Sequence, residues 1–210
     1  MTILIADDHV VIRKGLRALL EERRGWKVVA EAANGREAVE KAARLRPDLV
    51  VIDLSMPELN GMEATRLILK AAPSTRVLIL TMHNTEEFVE ETLRSGARGY
   101  VLKSDAEREL VTALEAVLAK RTFFTPAVPQ LGSEYLAGAR GTPALPTLSS
   151  RERQIIQLLA EGKSNKEVAG RLGISVRTAE NHRSRIMRKL QLRSLSDLVR
   201  HAIRNRMIEA

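Results

Sequence analysis

Residues 48–64, DLVVIDLSMPELNGMEA, hold a strand, a turn and a helix start in succession. DLVVID is short, β-rich and apolar at consecutive positions, so it suits a strand covered on both faces. It ends on a carboxylate, Asp53. Met56 and Pro57 shape the turn that follows, Gly61 suits a constrained backbone, and Asn60 stands three residues before Glu63 in the spacing of a helix cap. The same unit recurs through the first 120 residues. TILIA (2–6), KVVAE (27–31), RVLILT (76–81) and GYVL (99–102) are the other strand-like runs, and helix-period stretches separate them. The cap spacing returns at Asn34 and Glu37, Asn84 and Glu87, and Ser104 and Glu107. Strands buried on both faces and alternating with helices predict a doubly wound α/β fold around a five-stranded parallel sheet.

In such sheets reactive groups gather at the carboxyl ends of the strands. The first strand ends in Asp7 and Asp8, the third in Asp53, the fourth in Thr81, and the fifth leads through Tyr100 to Lys103. A lone aspartate ending a strand is ordinarily a cap or turn residue. Three acids, a threonine and a lysine at matching ends are harder to assign to chance. Clustered carboxylates raise one another's pKa unless a cation relieves them, and Mg²⁺ fits best because it accepts one or two carboxylates together with a phosphoryl oxygen. A carboxylate in that setting, with an ammonium and a hydroxyl in reach, can act as a nucleophile toward phosphorus. His9 and His83 flank the same edge without a companion at ligand spacing, which points to surface or packing roles.

IADDHVVIRKGL, VIDLSMPELNGMEA, LTMH and GYVLKS resemble the receiver domain of bacterial response regulators, a flavodoxin-like fold, over residues 1 to about 120. The resemblance implies that Asp53 is the phospho-acceptor and that Asp7 and Asp8 form the acidic pocket. It implies Mg²⁺ held by Asp53, Asp8 and the Ser55 carbonyl, and Lys103 paired with the phosphoryl group. Thr81 and Tyr100 match the family's switch pair, in which the hydroxyl turns toward the phosphoryl group and the aromatic ring follows inward. Ser104 stands where many receivers have proline.

The chain has 210 residues, 34 Lys plus Arg against 26 Asp plus Glu, a net charge of +8 and no cysteine. Missing cysteine excludes disulfides and thiolate metal sites and agrees with a reducing cytosol. No apolar run approaches the roughly 18 residues of a membrane span. The expectation is a cytoplasmic protein with no membrane partner. The surplus charge is not spread evenly. Residues 1–120 hold 18 basic and 19 acidic side chains, and residues 147–210 hold 14 and 6. A separate basic module therefore occupies 147–210. Residues 121–146 read as a linker rich in proline and glycine. Its sparse hydrophobes, Phe123, Phe124, Leu131, Tyr135 and Leu136, are available to dock on a neighbouring domain.

The basic module reads as four short helices. Ser149 stands three before Glu152, Ser164 three before Glu167 and Ser194 three before Asp197, Ser175 caps the longest helix, and Gly162 and Gly173 follow apolar-periodic stretches. NKEVAGRLGIS followed by VRTAENHRSRIMRKL is helix, tight turn, helix. On the second helix Val176, Ala179, Ile186 and Leu190 fall on the core side. Arg177, Asn181, Ser184 and Arg188 fall opposite, flanked by Glu180 and Arg185. An exposed face of this kind suits any surface helix, but the basic field around it points to nucleic acid.

LSSRERQIIQLLAEGKSNKEVAGRLGISVRTAENHRSRIMRKL resembles the LuxR-type helix-turn-helix domain, and with the receiver it resembles regulators of the NarL/FixJ type. The resemblance implies base contacts from Glu180, Asn181, Ser184 and Arg185 in the major groove of double-stranded promoter DNA. It places Ser164, Asn165, Arg177, Thr178, Arg188 and Lys189 against phosphates. It implies a homodimer, formed on phosphorylation, through the last helix at Leu195, Leu198, Val199 and Ala202. A sensor histidine kinase is the implied phosphodonor, and the chain is expected to be a regulator rather than an enzyme. An aspartate-nucleophile phosphatase would need a second acid two residues after Asp53, where Ser55 stands. Nucleotide binding would need a glycine-rich loop after the first strand.

Overall fold

The computed structural model describes residues 1–83, 86–125, 148–205, 207 and 208, without the side chains of Glu86, Glu87 and Glu90. The cap expected at Asn84, and Leu131, Tyr135 and Leu136 of the expected linker, lie outside the described residues. The chain divides into two compact units, Met1–Gly141 and Thr142–Ala210.

The first unit alternates strands β1 (Thr2–Ala6), β2 (Lys27–Ala32), β3 (Leu49–Asp53), β4 (Arg76–Thr81) and β5 (Gly99–Leu102) with helices α1 (Val10–Glu21), α2 (Gly35–Leu45), α3 (Gly61–Ala71), α4 (Glu86–Ser95) and α5 (Ala106–Leu118). A short sixth strand, β6 (Phe123–Phe124), follows α5. The sheet order is β2-β1-β3-β4-β5-β6, and every pairing is parallel. Because side chains alternate across a strand, each strand feeds two cores. Leu4, Val50, Ile52, Val77, Ile79 and Tyr100 pack on one face, and Ile3, Ile5, Val51, Leu78, Leu80 and Val101 on the other. Strand order reverses between β1 and β3. This opens a crevice at their carboxyl ends, where Asp7, Asp8 and Asp53 stand.

The sheet has one strand more than the five expected. The sixth lies inside 121–146, where two residues are too few to show a period. Lys120, in the left-handed region at φ 60°, turns the chain after α5. Phe123 then pairs with Gly99 and Phe124 with Tyr100. Local caps follow the expected spacing at α2 and α3, where the Asn34 and Asn60 side chains accept from the Glu37 and Glu63 amides. The cap expected at Ser104 is not formed. A 3-10 turn, Lys103–Asp105, takes up those residues, and α5 starts one position later with Asp105 before it. The backbone holds no cis peptide among the described residues, so Lys103 enters this turn through a trans bond.

The second unit has four helices: α6 (Ser150–Ala160), α7 (Asn165–Leu172), α8 (Val176–Lys189) and α9 (Leu195–Arg204). Reciprocal capping boxes start α6, α7 and α9 at Ser149, Ser164 and Ser194, and Ser175 caps α8 by accepting from the Thr178 amide. Gly173 closes α7 in the left-handed conformation, φ 62°, which turns the chain sharply into α8. Ile155, Ile156, Leu159, Val168, Ala179, Ile186, Leu198 and Ala202 form the core. Val176, expected in that core, is 42% exposed. It opens α8, one turn short of the packed interface that begins at Ala179. Among the described residues no helix is long and apolar enough to cross a membrane.

Candidate functional site

The acids and the lysine converge as the topology requires, and Thr81 ends the neighbouring strand β4. Lys103 Nζ lies 2.7 Å from Asp7 Oδ2 and 3.0 Å from Asp53 Oδ2. Asp7, Asp53 and Thr81 are buried, and Asp8 is partly exposed beside them. Burial pushes the Asp53 carboxyl up to about 6, against the pull of Lys103. Burial also acts to lower Lys103, but its hydrogen bond to Asp7 and the charge of Asp53 outweigh that and hold it above its ordinary value. A carboxyl raised in this way is ionised at neutral pH yet more basic than an exposed one.

Asp7, Asp8, His9 and Asp53 each offer a ligand atom, all within 4.8 Å of one another. Three carboxylates here meet one ammonium, so the oxygen donors of the cluster outnumber the cation that answers them. Hard oxygen donors of this kind fit Mg²⁺. His9, expected in a surface or packing role at this edge, is exposed and points Nδ1 at Asp8 Oδ1 from 2.8 Å. Sequence reasoning also missed Arg13, whose Nη1 donates to the Asp7 carbonyl at 2.6 Å.

Two loops frame the pocket. After β3 the chain turns so tightly that a Cβ on Gly61 would stand 2.0 Å from the Asp53 carbonyl oxygen. Only glycine fits there, and the start of α3 is thereby pressed against the acid's own backbone. Ser55 Oγ lies 3.2 Å from His83 Nε2. The His83 amide donates to Thr81 Oγ1 at 3.2 Å, and its ring stacks on Phe88 with centroids 4.2 Å apart. Tyr100 is wholly buried, and its hydroxyl donates to the His83 carbonyl at 2.5 Å.

In the second unit, Arg177, Glu180, Asn181, Ser184, Arg185 and Arg188 are all exposed along α8. Thr178 Oγ1 is 2.8 Å from Ser175 Oγ, and the Ser164 hydroxyl donates to Glu167 at 2.7 Å. Asn165, Glu180, Arg183, Ser184 and Met187 line one concavity, so Arg183 joins the surface that sequence reasoning drew without it. Lys189, expected at a phosphate, instead reaches Glu152 Oε2 at 2.8 Å and ties α8 to α6. Burial acts to raise Glu152, but Lys189 and the Ser149 cap hold it below its ordinary value. On α9 Leu198 and Ala202 are fully buried in the unit's own core, which removes them from the expected dimer surface. Leu195 is 42% exposed, and Val199 is partly exposed. The 3.6-residue period of one helix cannot say which of its apolar residues its own fold consumes.

A parallel sheet with acids at its switch point, joined to a helix-turn-helix unit, defines a receiver followed by an effector. Residues 3–115 match the response regulator receiver domain, and residues 146–202 match the bacterial regulatory proteins of the luxR family. The oxygen regulatory protein NreC of Staphylococcus carnosus is 38% identical over the whole of both chains. Among solved structures, the RcsB–DNA complex of a two-component response regulator shares 27% identity over 96% of each chain, with a TM-score of 0.59. The isolated receiver domain of RcsB from Salmonella enterica serovar Typhimurium, solved with the phosphomimetic BeF3-, shares 30% identity, covers 62% of this chain and 97% of its own, and has a TM-score of 0.58. The chain belongs to the bacterial response regulators that join a receiver domain to a LuxR-type DNA-binding domain.

Proposed function

We propose that a sensor histidine kinase phosphorylates Asp53 of this chain in the cytoplasm, and that the phosphoryl group switches dimerisation and promoter binding. The observation that carries the reading is one ammonium, Lys103, shared by Asp7 and Asp53 inside a buried acid cluster. An Asp53 oxygen forms a bond to phosphorus as the phosphorus–nitrogen bond of the donor phosphohistidine breaks and its electron pair returns to the imidazole. Asp53 is ionised for this at neutral pH, because about 6 is still below 7. Lys103 compensates charge on the phosphoryl oxygens once Asp53 is phosphorylated. Asp7, Asp8, Asp53 and the Ser55 carbonyl would hold Mg²⁺, which when bound neutralises phosphoryl charge.

Thr81 Oγ1, which accepts from the His83 amide, is the hydroxyl positioned to turn toward the new group. The Tyr100 ring, buried and tied to the His83 carbonyl, is its aromatic partner in this reading. Output runs through α8. Glu180, Asn181, Ser184 and Arg185 read base edges, and Arg177, Thr178, Arg188, Ser164 and Asn165 sit against phosphates. Leu195 and Val199 remain for the dimer contact.

Labelled acetyl phosphate with Mg²⁺ tests the reading. Wild type takes up label and gains affinity for a duplex that it selects from a random-sequence library, and Asp53→Asn does neither. Equal labelling of the variant, or a duplex affinity indifferent to the phosphodonor, would overturn it.

A further inference from the structure

Strand β6 is an element that the phosphoryl chemistry does not require, yet it lies against the strand that bears Tyr100 and leads into Lys103. Phe124 packs on the face that holds Tyr100, and Phe123 on the opposite face. The two rings pin the segment into both cores. The next residue, Thr125, is 2% exposed. Its amide donates to the Tyr100 carbonyl at 3.0 Å, and its Oγ1 accepts from the Leu102 amide at 3.1 Å. Thr125 thus holds β5 at the residue that bears the switch ring and at the residue before Lys103. Pro126, next in sequence, has no N–H with which to continue such a ladder.

We infer that Thr125 is a positioning residue that makes the segment leading to the helix-turn-helix unit move with Tyr100 and the end of β5. The inference rests on phosphorylation at Asp53 as proposed above. Its physical basis is the cost of separation. If β5 shifted alone, the Leu102 amide would be left buried without an acceptor and two aromatic anchors would be strained, so the shift carries residues 123–125 along.

Two variants of the full-length chain test this. Thr125→Val keeps the shape and removes the oxygen, whereas Thr125→Ser keeps the oxygen. Labelling from acetyl phosphate with Mg²⁺ and affinity for the duplex selected by wild type are measured with and without the phosphodonor. Thr125→Val is expected to label within about twofold of wild type and to keep the resting duplex affinity, while the phosphorylation-dependent gain falls by about fivefold or more. Thr125→Ser is expected to retain the gain. The inference is overturned if Thr125→Val keeps the wild-type gain, if it loses label and both affinities together as a misfolded chain would, or if Thr125→Ser loses the gain as well. Failure of wild type itself to label overturns the Asp53 reading, and this inference with it. A labelled wild type beside an unaffected valine variant overturns the inference alone.

Discussion

The pocket at the edge of the sheet and the outer face of α8 are built by opposite electrostatic rules. In the pocket, Asp7 and Asp53 are 1% and 3% exposed and share the single ammonium of Lys103. Burial there makes each charge expensive unless a cation meets it. On α8, Arg177, Arg185 and Arg188 are exposed, and among the described residues no acid pairs with them. Their charges cost little to hold in water and stay available to a polyanion. The contrast teaches where each unit stores its capacity to respond. The receiver stores it as desolvation around one carboxyl, and the effector stores it as exposed guanidinium charge.

The largest test of this contrast is ionic strength. If α8 and its neighbours neutralise about five phosphates, duplex affinity falls by about 10²–10³-fold between roughly 50 and 200 mM salt. Labelling of the buried pocket is expected to change by less than about twofold over the same range. Equal salt sensitivity of the two activities, measured by fluorescence anisotropy and by label uptake, would remove the distinction. Next in size is Lys103→Met, which strands two buried carboxylates. It is expected to cost about 3 kcal/mol in denaturant unfolding at pH 7, and less at pH 5 where a carboxyl can take up a proton. Smallest is Asp53→Asn. An acid whose folded pKa of about 6 exceeds its unfolded 3.8 destabilises the fold at neutral pH, and the penalty fades as pH falls through 6 toward 3.8. The amide should therefore raise receiver stability by about 1–3 kcal/mol at pH 7 and by steadily less toward pH 4. A variant no more stable than wild type at pH 7 would mean that the pocket already relieves its charge.

Much of the pocket was legible because strand ends are legible. Once DLVVID and TILIA are strands of one parallel sheet, Asp53, Asp7 and Asp8 must meet at the β1/β3 switch point, and Lys103 reaches them from β5. Interactions that join distant parts of the chain left no local trace. Lys189 and Glu152 are 37 residues apart, so the resemblance that set the lysine against a phosphate gave no sign of the carboxylate it meets on another helix. Ser55 and His83, 28 apart, are joined only by the folding of two loops onto one edge. The period of α9 gave its apolar stripe but not its division. Leu198 and Ala202 turn into the unit's core, and Leu195 does not. Strand β6 is legible only in hindsight, as two adjacent phenylalanines inside a segment that otherwise has the composition of a linker.

That short strand changes where the receiver should be cut. A fragment ending at Lys120, where helix periodicity stops, would lose Phe123 from one core and Phe124 from the other. It would also bare the outer edge of β5, whose Leu102 amide would no longer meet Thr125. An uncovered parallel edge beside two unfilled aromatic sites invites pairing with a second chain, so such a fragment is expected to self-associate. The same fragment extended through Thr125 would keep its edge closed.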